Sequence, residues 1–470
     1  MAQISHWNNS RKLSDAGLKY IRHFQNNYVI TPTDKAPGNF SIVCKQLYLS
    51  SIADECGITI QNGRVTCSGN ATYTLSRFTD PVKLHQQLIK AYGFSCSTPC
   101  SRLPLIFATP KLHKPIPKMR FIVAARQSSL KTYEVAVKHI LMHYTKHFKN
   151  YCQKSQAFSG NTLYVSIKDS HTVARTLNKL HNAKTLFSAD FTALYPSLDH
   201  NTIKQAIIRI ISLCHKNAKS DYLDISNINR IRYCNLQTLG RRIFRKEAII
   251  HMCFELLSNS FMSFANVTLH QVKGVPMGGN ASCALADLTL SWYEFQYLHS
   301  HPLNKNQRIL RYVDDCLAIN INNFQEISKT IYPAELQLND TSITDKETNF
   351  LDLHIKIKSD GKIDTRIYSK TDPFTFRIIR YFRADCNVPC TMPYGVFSSQ
   401  ILRFLRLTNQ TDDFWLRSIA IIKEYIELGF AKQHLFKCFL KTIYQHNTLA
   451  HQLILNMSRK AILYKLSQSV

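Results

Sequence analysis

The chain has 470 residues, enough for several subdomains sharing one core or for two to four ordinary domains. Hydrophobic residues make up 45% and aromatics 11%, which excludes a mainly disordered or fibrous protein. The 59 Lys and Arg against 31 Asp and Glu leave a formal net charge of +28. Such self-repulsion works against compaction and points to a polyanionic partner, either nucleic acid or an anionic membrane surface, rather than a small neutral metabolite.

No run of about 18 apolar residues occurs, so no transmembrane helix is expected. The opening MAQISHWNNSRKLSDAG lacks the apolar core of a secretory signal. The 14 cysteines are scattered, which fits a reducing intracellular compartment. Two pairs with three intervening residues, Cys96 with Cys100 and Cys386 with Cys390, admit a zinc reading if the fold unites them. Buried or loop thiols are the simpler assignment.

Residues 80–185 carry 17 Lys or Arg against 3 Asp or Glu, a concentration beyond an ordinary solvated face. Within them, FATPKLHKPIPKMRFIVAARQSSLKTYEVAV predicts a proline-punctuated loop, a short strand at MRFIVA, and a helix. TLFSADFTALYPSLDH predicts a strand ending at Asp190, then a turn at Tyr195-Pro196 into a helix with Ile203, Ala206, Ile207 and Ile210 on one face. NVTLHQVKGVPMGGNASCALADLTLSWYE reads as a strand, a glycine loop, and a helix from about Asn280. ILRYVDDCLAIN reads as a β-hairpin with Asp314 and Asp315 at its turn. FLDLHIKIKSDGKIDTRIYSK alternates at Leu351, Leu353, Ile355 and Ile357, breaks at Ser-Asp-Gly, and resumes, predicting a second hairpin. Neither an internal repeat nor a long Gly/Ser linker interrupts these elements.

Asp190, Asp314 and Asp315 fall at strand ends amid apolar neighbours, where three carboxylates repel unless something neutralises them. A pair of Mg²⁺ ions suits the role, because Mg²⁺ takes oxygen ligands and is often held by one or two carboxylates plus substrate phosphates. Two such ions activate an attacking hydroxyl and stabilise a departing pyrophosphate. Taken singly, each of the three reads more readily as an exposed turn aspartate.

Taken in order, the motifs resemble a known family. RYVDDC is similar to the Tyr-x-Asp-Asp signature of reverse transcriptases, FSADFTALYPSLDH to their first palm motif, GVPMGGNAS to the glycine motif that follows, and NFLDLHIKI to the hairpin after the Asp-Asp turn. TPKLHKPIPKMRFIV matches the basic fingers motif, so the resemblance covers roughly residues 100 to 370. PKLHKP with MRFIV, the early TPTDKAPGNFSIV, and a tail with LRFLRL and ELGF look like Penelope-like retroelement reverse transcriptases, relatives of telomerase. The GIY-YIG endonuclease that many such elements append has no counterpart among the motifs read here, and neither do integrase or ribonuclease H. A domesticated or helper-dependent enzyme, with a separate endonuclease partner, therefore stays open.

The resemblance implies an α/β right-hand polymerase: an N-terminal extension over 1–79, basic fingers over 80–185, a palm over 186–370 with an antiparallel sheet and a fingers insertion at about 215–262, and a helical thumb over 371–470. Asp190 and Asp314 are the implied primary metal ligands, supported by Asp315 and the Phe191 carbonyl, with two Mg²⁺ ions for which Mn²⁺ can substitute. Tyr195 stands where the family has an aromatic residue against the incoming sugar; the alternative is a core tyrosine. Lys111, Lys118 and Arg120 are candidates for the triphosphate, Arg120 foremost because guanidinium chelates phosphate oxygens. Lys111 and Lys118 equally fit solvent or template phosphate. Gly274, Gly278 and Gly279 would let the chain pass close to a base pair, with Met277 and Asn280 lining that surface; helix capping is an alternative for Asn280. Lys146 and Lys149 are candidate template–primer contacts, and Lys346 a candidate general acid.

The expected reaction is dNTP addition to the 3′-hydroxyl of a DNA or RNA primer on an RNA template. An RNA-dependent RNA polymerase is one rival, although those enzymes more often carry Gly-Asp-Asp. A non-catalytic nucleic-acid scaffold is another, although a scaffold has no need of three clustered carboxylates. DNA synthesis on chromosomal ends or nicks would take place in the nucleus.

Overall fold

The computed structural model describes residues 14–36, 38–61, 64–67, 72–94, 100–112, 118–235, 241–372, 374, 376, 378–389, 391–454 and 457–469. At its centre lies a four-stranded antiparallel sheet in the order Arg308–Tyr312, Asp315–Ile319, Leu186–Phe191, Leu338–Asp340. Side chains alternate across a strand, so one sheet can serve two cores. Phe191, Cys316 and Ala318 join the first core with helices Lys131–Ser159, His200–Ala218 and Ser282–Ser300. Leu186, Leu317 and Ile319 join the second. That second core also takes the hairpin Leu353–Ile357/Ile363–Ile367 and the C-terminal helices Thr391–Leu407, Thr411–Glu427 and Lys432–Gln445. Both faces are buried, which is why these strands read as apolar runs rather than alternating ones.

A second sheet of five strands runs Tyr73–Leu75, Val267–Gln271, Phe261–Phe264, Leu105–Lys111, Lys118–Ala124. Helix Lys45–Cys56 packs Tyr48, Ile52 and Cys56 against it, and the Tyr48 hydroxyl accepts from the Ala108 N–H at 3.0 Å. The expected division at 79/80 therefore falls within one sheet, whose strands come from three separate stretches of chain. Beyond it, a hairpin of Tyr28–Pro32 with Phe40–Cys44 carries the tip that includes residues 33–36 and 38–39.

The hairpins at Asp314 and at Leu353–Ile367 form as expected. Leu351, however, is no part of a strand: with φ 55° it makes the turn between Glu347–Phe350 and Leu353–Ile357, an extra strand pair that the alternation hid. The helix expected from Asn280 begins at Ser282, and the first helix of the C-terminal region begins at Thr391.

Candidate active site

In the Asp-Asp hairpin Tyr312 pairs with Asp315, leaving Val313 and Asp314 as a two-residue turn. Val313 has φ 55°, and a β-branched residue in that left-handed region costs about 1–3 kcal/mol that its surroundings must offset. Arg311 is the anchor. Its guanidinium is fully buried, ion-paired with Glu294, bonded to Asp287 Oδ1 at 2.9 Å, and donates to the Val313 carbonyl at 3.2 Å. Tyr332 adds a hydroxyl bond to Glu294 Oε1 at 2.9 Å. Burial pushes the Glu294 carboxyl up, while the Arg311 charge pulls the other way; with the cation in contact we take Glu294 as ionised.

On the other side of the hairpin, Asp315 lies directly opposite Asp190, and directly opposed residues project from the same face. The Phe191 N–H donates to the Asp314 carbonyl at 3.0 Å, so the turn is bonded to the end of the neighbouring strand. Phe191 itself is buried edge-on against the Tyr332 ring, which leaves only its backbone to face the site. The three predicted carboxylates are thus brought to one sheet end. Burial pushes the Asp315 carboxyl up, the charges of Asp314 and Asp190 add to this, and Lys370 and Lys35 oppose it.

Among the described residues no group of three His, Cys, Asp or Glu converges as a ready-made metal cage. Carboxylates on adjacent strand ends suit Mg²⁺ even so, because that ion keeps waters and draws remaining ligands from substrate phosphate. The mutual repulsion at Asp315 is what a dication relieves.

Tyr195 sits half-buried in the short helix Leu194–Ser197, hydrogen-bonded to Cys283 and within the field of Asp314. Its carbonyl accepts from Val275 N–H at 2.8 Å, and Gly274 packs against it so tightly that a Cβ would lie 2.4 Å from that oxygen. The glycine loop then crosses to the five-stranded sheet, where the Met277 carbonyl accepts from Val123 N–H at 2.7 Å. Gly278 has φ 106°, and a Cβ there would meet the Val123 carbonyl at 2.4 Å. Gly279 bonds back to the Pro276 carbonyl. Asn280 does not cap the following helix, whose N-cap is Ala281; its amide donates instead to the buried Glu134 at 2.7 Å.

Arg120 is ion-paired with Asp34 at 3.1 Å. Lys111 and Lys118 stand opposite each other at the loop end of their strand pair, Lys111 within the field of Glu55. Lys146 and Lys149 lie elsewhere: they are 12 and 15 residues along a helix from Glu134, roughly 18–22 Å at the helical rise. Lys149 rests over the Tyr164 ring at 5.3 Å, and Lys146 is exposed. Lys346 is also displaced. The carbonyl beside it, that of Asp345, accepts from Leu186 N–H, at the opposite end of the strand from Asp190 and about 13 Å away. Lys370 approaches the carboxylates, its Nζ 3.8 Å from Asp315 Oδ2. Sequence reasoning missed Lys370, Lys35 and Arg311. The signal for Arg311 was a lone arginine inside the apolar run ILRYVDD.

Of the thiol pairs, Cys96 and Cys390 fall outside the described residues; Cys100 donates to the Gln127 carbonyl. Among the described residues no helix is long and apolar enough to cross a membrane.

No protein-family model matches the sequence, and no curated protein matches it. Among solved structures, the chain is similar to telomerase from Candida albicans in complex with a fragment of telomeric RNA, with TM-score 0.59, 13% identity, and coverage of 96% of this chain and 72% of that one. It also matches apo telomerase from Candida tropicalis at TM-score 0.48 and 12% identity, covering 95% and 70%. The Sicinivirus RNA-dependent RNA polymerase matches at TM-score 0.40 and 11% identity, covering 83% and 74%. The fold is that of a right-hand polymerase, the four-stranded sheet being its palm.

Proposed function

We propose that this chain is an RNA-directed DNA polymerase of the reverse-transcriptase type. The observation that carries the reading is the cross-strand pair Asp190–Asp315 with Asp314 in the adjoining turn, all at one end of the palm sheet. Asp190 and Asp314, supported by Asp315 and the Phe191 carbonyl, would hold two Mg²⁺ ions, with Mn²⁺ able to substitute. Bound there, the ions would activate the primer 3′-hydroxyl and offset charge on the departing pyrophosphate. The remaining work is positioning and electrostatics.

Arg120 offers its guanidinium to the triphosphate of an incoming dNTP, with Lys118 and Lys111 at the loop end of the same strand pair. Tyr195 forms a wall under the sugar. Met277 and Gly278 line the base-pair surface, and Gly274, Gly279 and Asn280 hold that surface against the palm. Lys146 and Lys149 are assigned to distal template–primer phosphate. Lys370 replaces Lys346 as the cation nearest the reacting groups.

The corresponding regions are basic fingers over 80–185 completed by strands from 73–75 and 261–271, a palm over 186–370, and a helical thumb within 371–470. The RNA template, a DNA or RNA primer and dNTPs are the proposed partners, with a separate endonuclease for any mobile form. The motifs TPTDKAPGNFSIV, PKLHKP and LRFLRL support a Penelope-like, telomerase-related subgroup, and a nuclear site of action follows from that assignment.

Primer extension on poly(rA)/oligo(dT) with purified protein, comparing dTTP with UTP, tests the reading. Incorporation of dTTP in strong preference to UTP is expected. Preference for UTP would favour an RNA-dependent RNA polymerase, and incorporation of neither would favour a scaffold.

A further inference from the structure

The tip of the N-terminal hairpin, through residues 33–36 and 38–39, spans from the five-stranded sheet to the chain beyond Lys370. On one side the Thr31 hydroxyl donates to the Ala108 carbonyl at 2.7 Å, the Asp34 N–H donates to the Pro110 carbonyl at 3.1 Å, and the Asp34 carboxylate pairs with Arg120. On the other, Asn39 Oδ1 accepts from Ile379 N–H at 3.4 Å, and Gly38 with Lys35 lines a cavity of about 640 Å³ together with Ser369, Thr371 and Arg380. The tip is internally braced, since Thr33 and Ser41 share a hydroxyl bond at 2.6 Å and the Asn39 N–H returns to the Ala36 carbonyl at 3.1 Å.

Within this brace two adjacent residues serve different neighbours, Asp34 the strand of Arg120 and Lys35 the cavity beside Lys370. Asp34 is 7% exposed; one carboxylate oxygen is taken by Arg120 and the other, Oδ2, is buried without a hydrogen-bond partner. Lys35 takes φ 59°, a strained backbone conformation for a residue with a side chain, and is exposed. It shares a cavity with Ser369 and Thr371, the two residues that flank Lys370, whose Nζ lies 3.8 Å from Asp315 Oδ2. The loop thus places an anion on Arg120 and a cation in the cavity beside Lys370.

We propose that this loop completes the nucleotide site: Asp34 is a positioning residue that fixes the Arg120 guanidinium, and Lys35 contacts the triphosphate of the incoming nucleotide. The assignment rests on the polymerase reading above. A carboxylate on one edge of a guanidinium fixes its plane and leaves the other edge to chelate phosphate oxygens. A lysine opposite the palm carboxylates meets the same triphosphate from the other side, as a mobile point charge.

Single-nucleotide incorporation by the full chain on poly(rA)/oligo(dT), with dTTP varied, tests this. Asp34→Asn and Lys35→Gln should each raise KM for dTTP about tenfold while kcat changes by less than about threefold. Template–primer affinity and the urea unfolding midpoint should not move. The double variant Asp34→Asn/Arg120→Gln should be no worse than Arg120→Gln alone, because Asp34 acts through Arg120. Lys35→Arg should restore most of the affinity. Unchanged KM in an active Lys35→Gln enzyme, or a loss of template–primer affinity in equal proportion, overturns the proposal while leaving the polymerase reading intact; Lys35 is exposed, so this arm stands even if Asp34→Asn unfolds. A wild-type chain that incorporates neither dTTP nor UTP overturns both.

Discussion

The buried guanidinium of Arg311 donates to the carbonyl of Val313, the residue immediately before Asp314, at 3.2 Å. A cation held by Glu294 and Asp287 of the neighbouring helix therefore sets the shape of the turn that carries the carboxylates. Removing it leaves Glu294 buried and unpaired. Arg311→Met should destabilise the fold by about 3–5 kcal/mol, read by urea denaturation. Arg311→Lys keeps charge but loses the planar fork, and extension should fall at least about tenfold. A Met variant within about 1 kcal/mol of wild type would show that the clamp is dispensable.

Asp190→Asn and Asp314→Asn should each abolish primer extension. Template–primer binding should persist or tighten, because a repulsive carboxylate leaves the phosphate path. Filter binding beside extension separates the two effects. Substantial extension by the folded Asp314→Asn enzyme would contradict the metal assignment.

Tyr195 stands between the glycine loop and Asp314, half-buried. Tyr195→Ala should admit rNTPs markedly better and cost some dNTP efficiency, whereas Tyr195→Phe should keep most of the discrimination, since the ring supplies the wall. Ratios of kcat/KM for dTTP and UTP are the readout. An Ala variant that discriminates like wild type would return Tyr195 to the core.

Gly278 cannot carry a side chain without moving the Val123 carbonyl, which its Cβ would approach at 2.4 Å. Gly278→Ala should break the Val123–Met277 hydrogen bond and detach the loop from the fingers strand. A loss of about 2 kcal/mol or more is expected, together with a raised KM for dNTP.

His85 is fully buried; its Nε2–H donates to the Asn259 carbonyl and its Nδ1 accepts from Ser129, which fixes the neutral tautomer. Burial lowers its pKa to about 4, the Asn259 bond opposing. The unfolded residue binds a proton below about 6.5, the folded one only below about 4, so stability is complete above 6.5 and drains as pH falls towards 4. The contribution is on the order of 3 kcal/mol. In His85→Gln the decline over that window, followed by urea denaturation, should shrink accordingly; an unaltered pH profile would remove His85 as its source.

The carboxylates were legible in the sequence because local pattern alone positions them. Asp190 ends an apolar run, and the symmetric runs around Asp314-Asp315 leave a two-residue hairpin as the economical reading. That Asp315 lies beside Asp190 was decided by the pairing of two strands far apart in the chain. The glycine loop was legible for a similar reason, since Gly274 and Gly278 mark positive φ whatever their neighbours. Leu351 misled because an apolar residue continues a period-two pattern through a turn as readily as along a strand. Lys346 misled because its region offered composition without register.

What the sequence alone determined was most of the local elements and the order of the motifs, for these depend on near neighbours. The tertiary structure alone decided which charges meet. Asp34 finds Arg120, Lys370 finds Asp315, and Arg311 finds Glu294 across elements far apart in the chain. Ion pairs carry no periodicity and any lysine or arginine among 59 satisfies a carboxylate equally well on paper. Only packing, by fixing distance and excluding water, selects the partner and gives the pairing its energy.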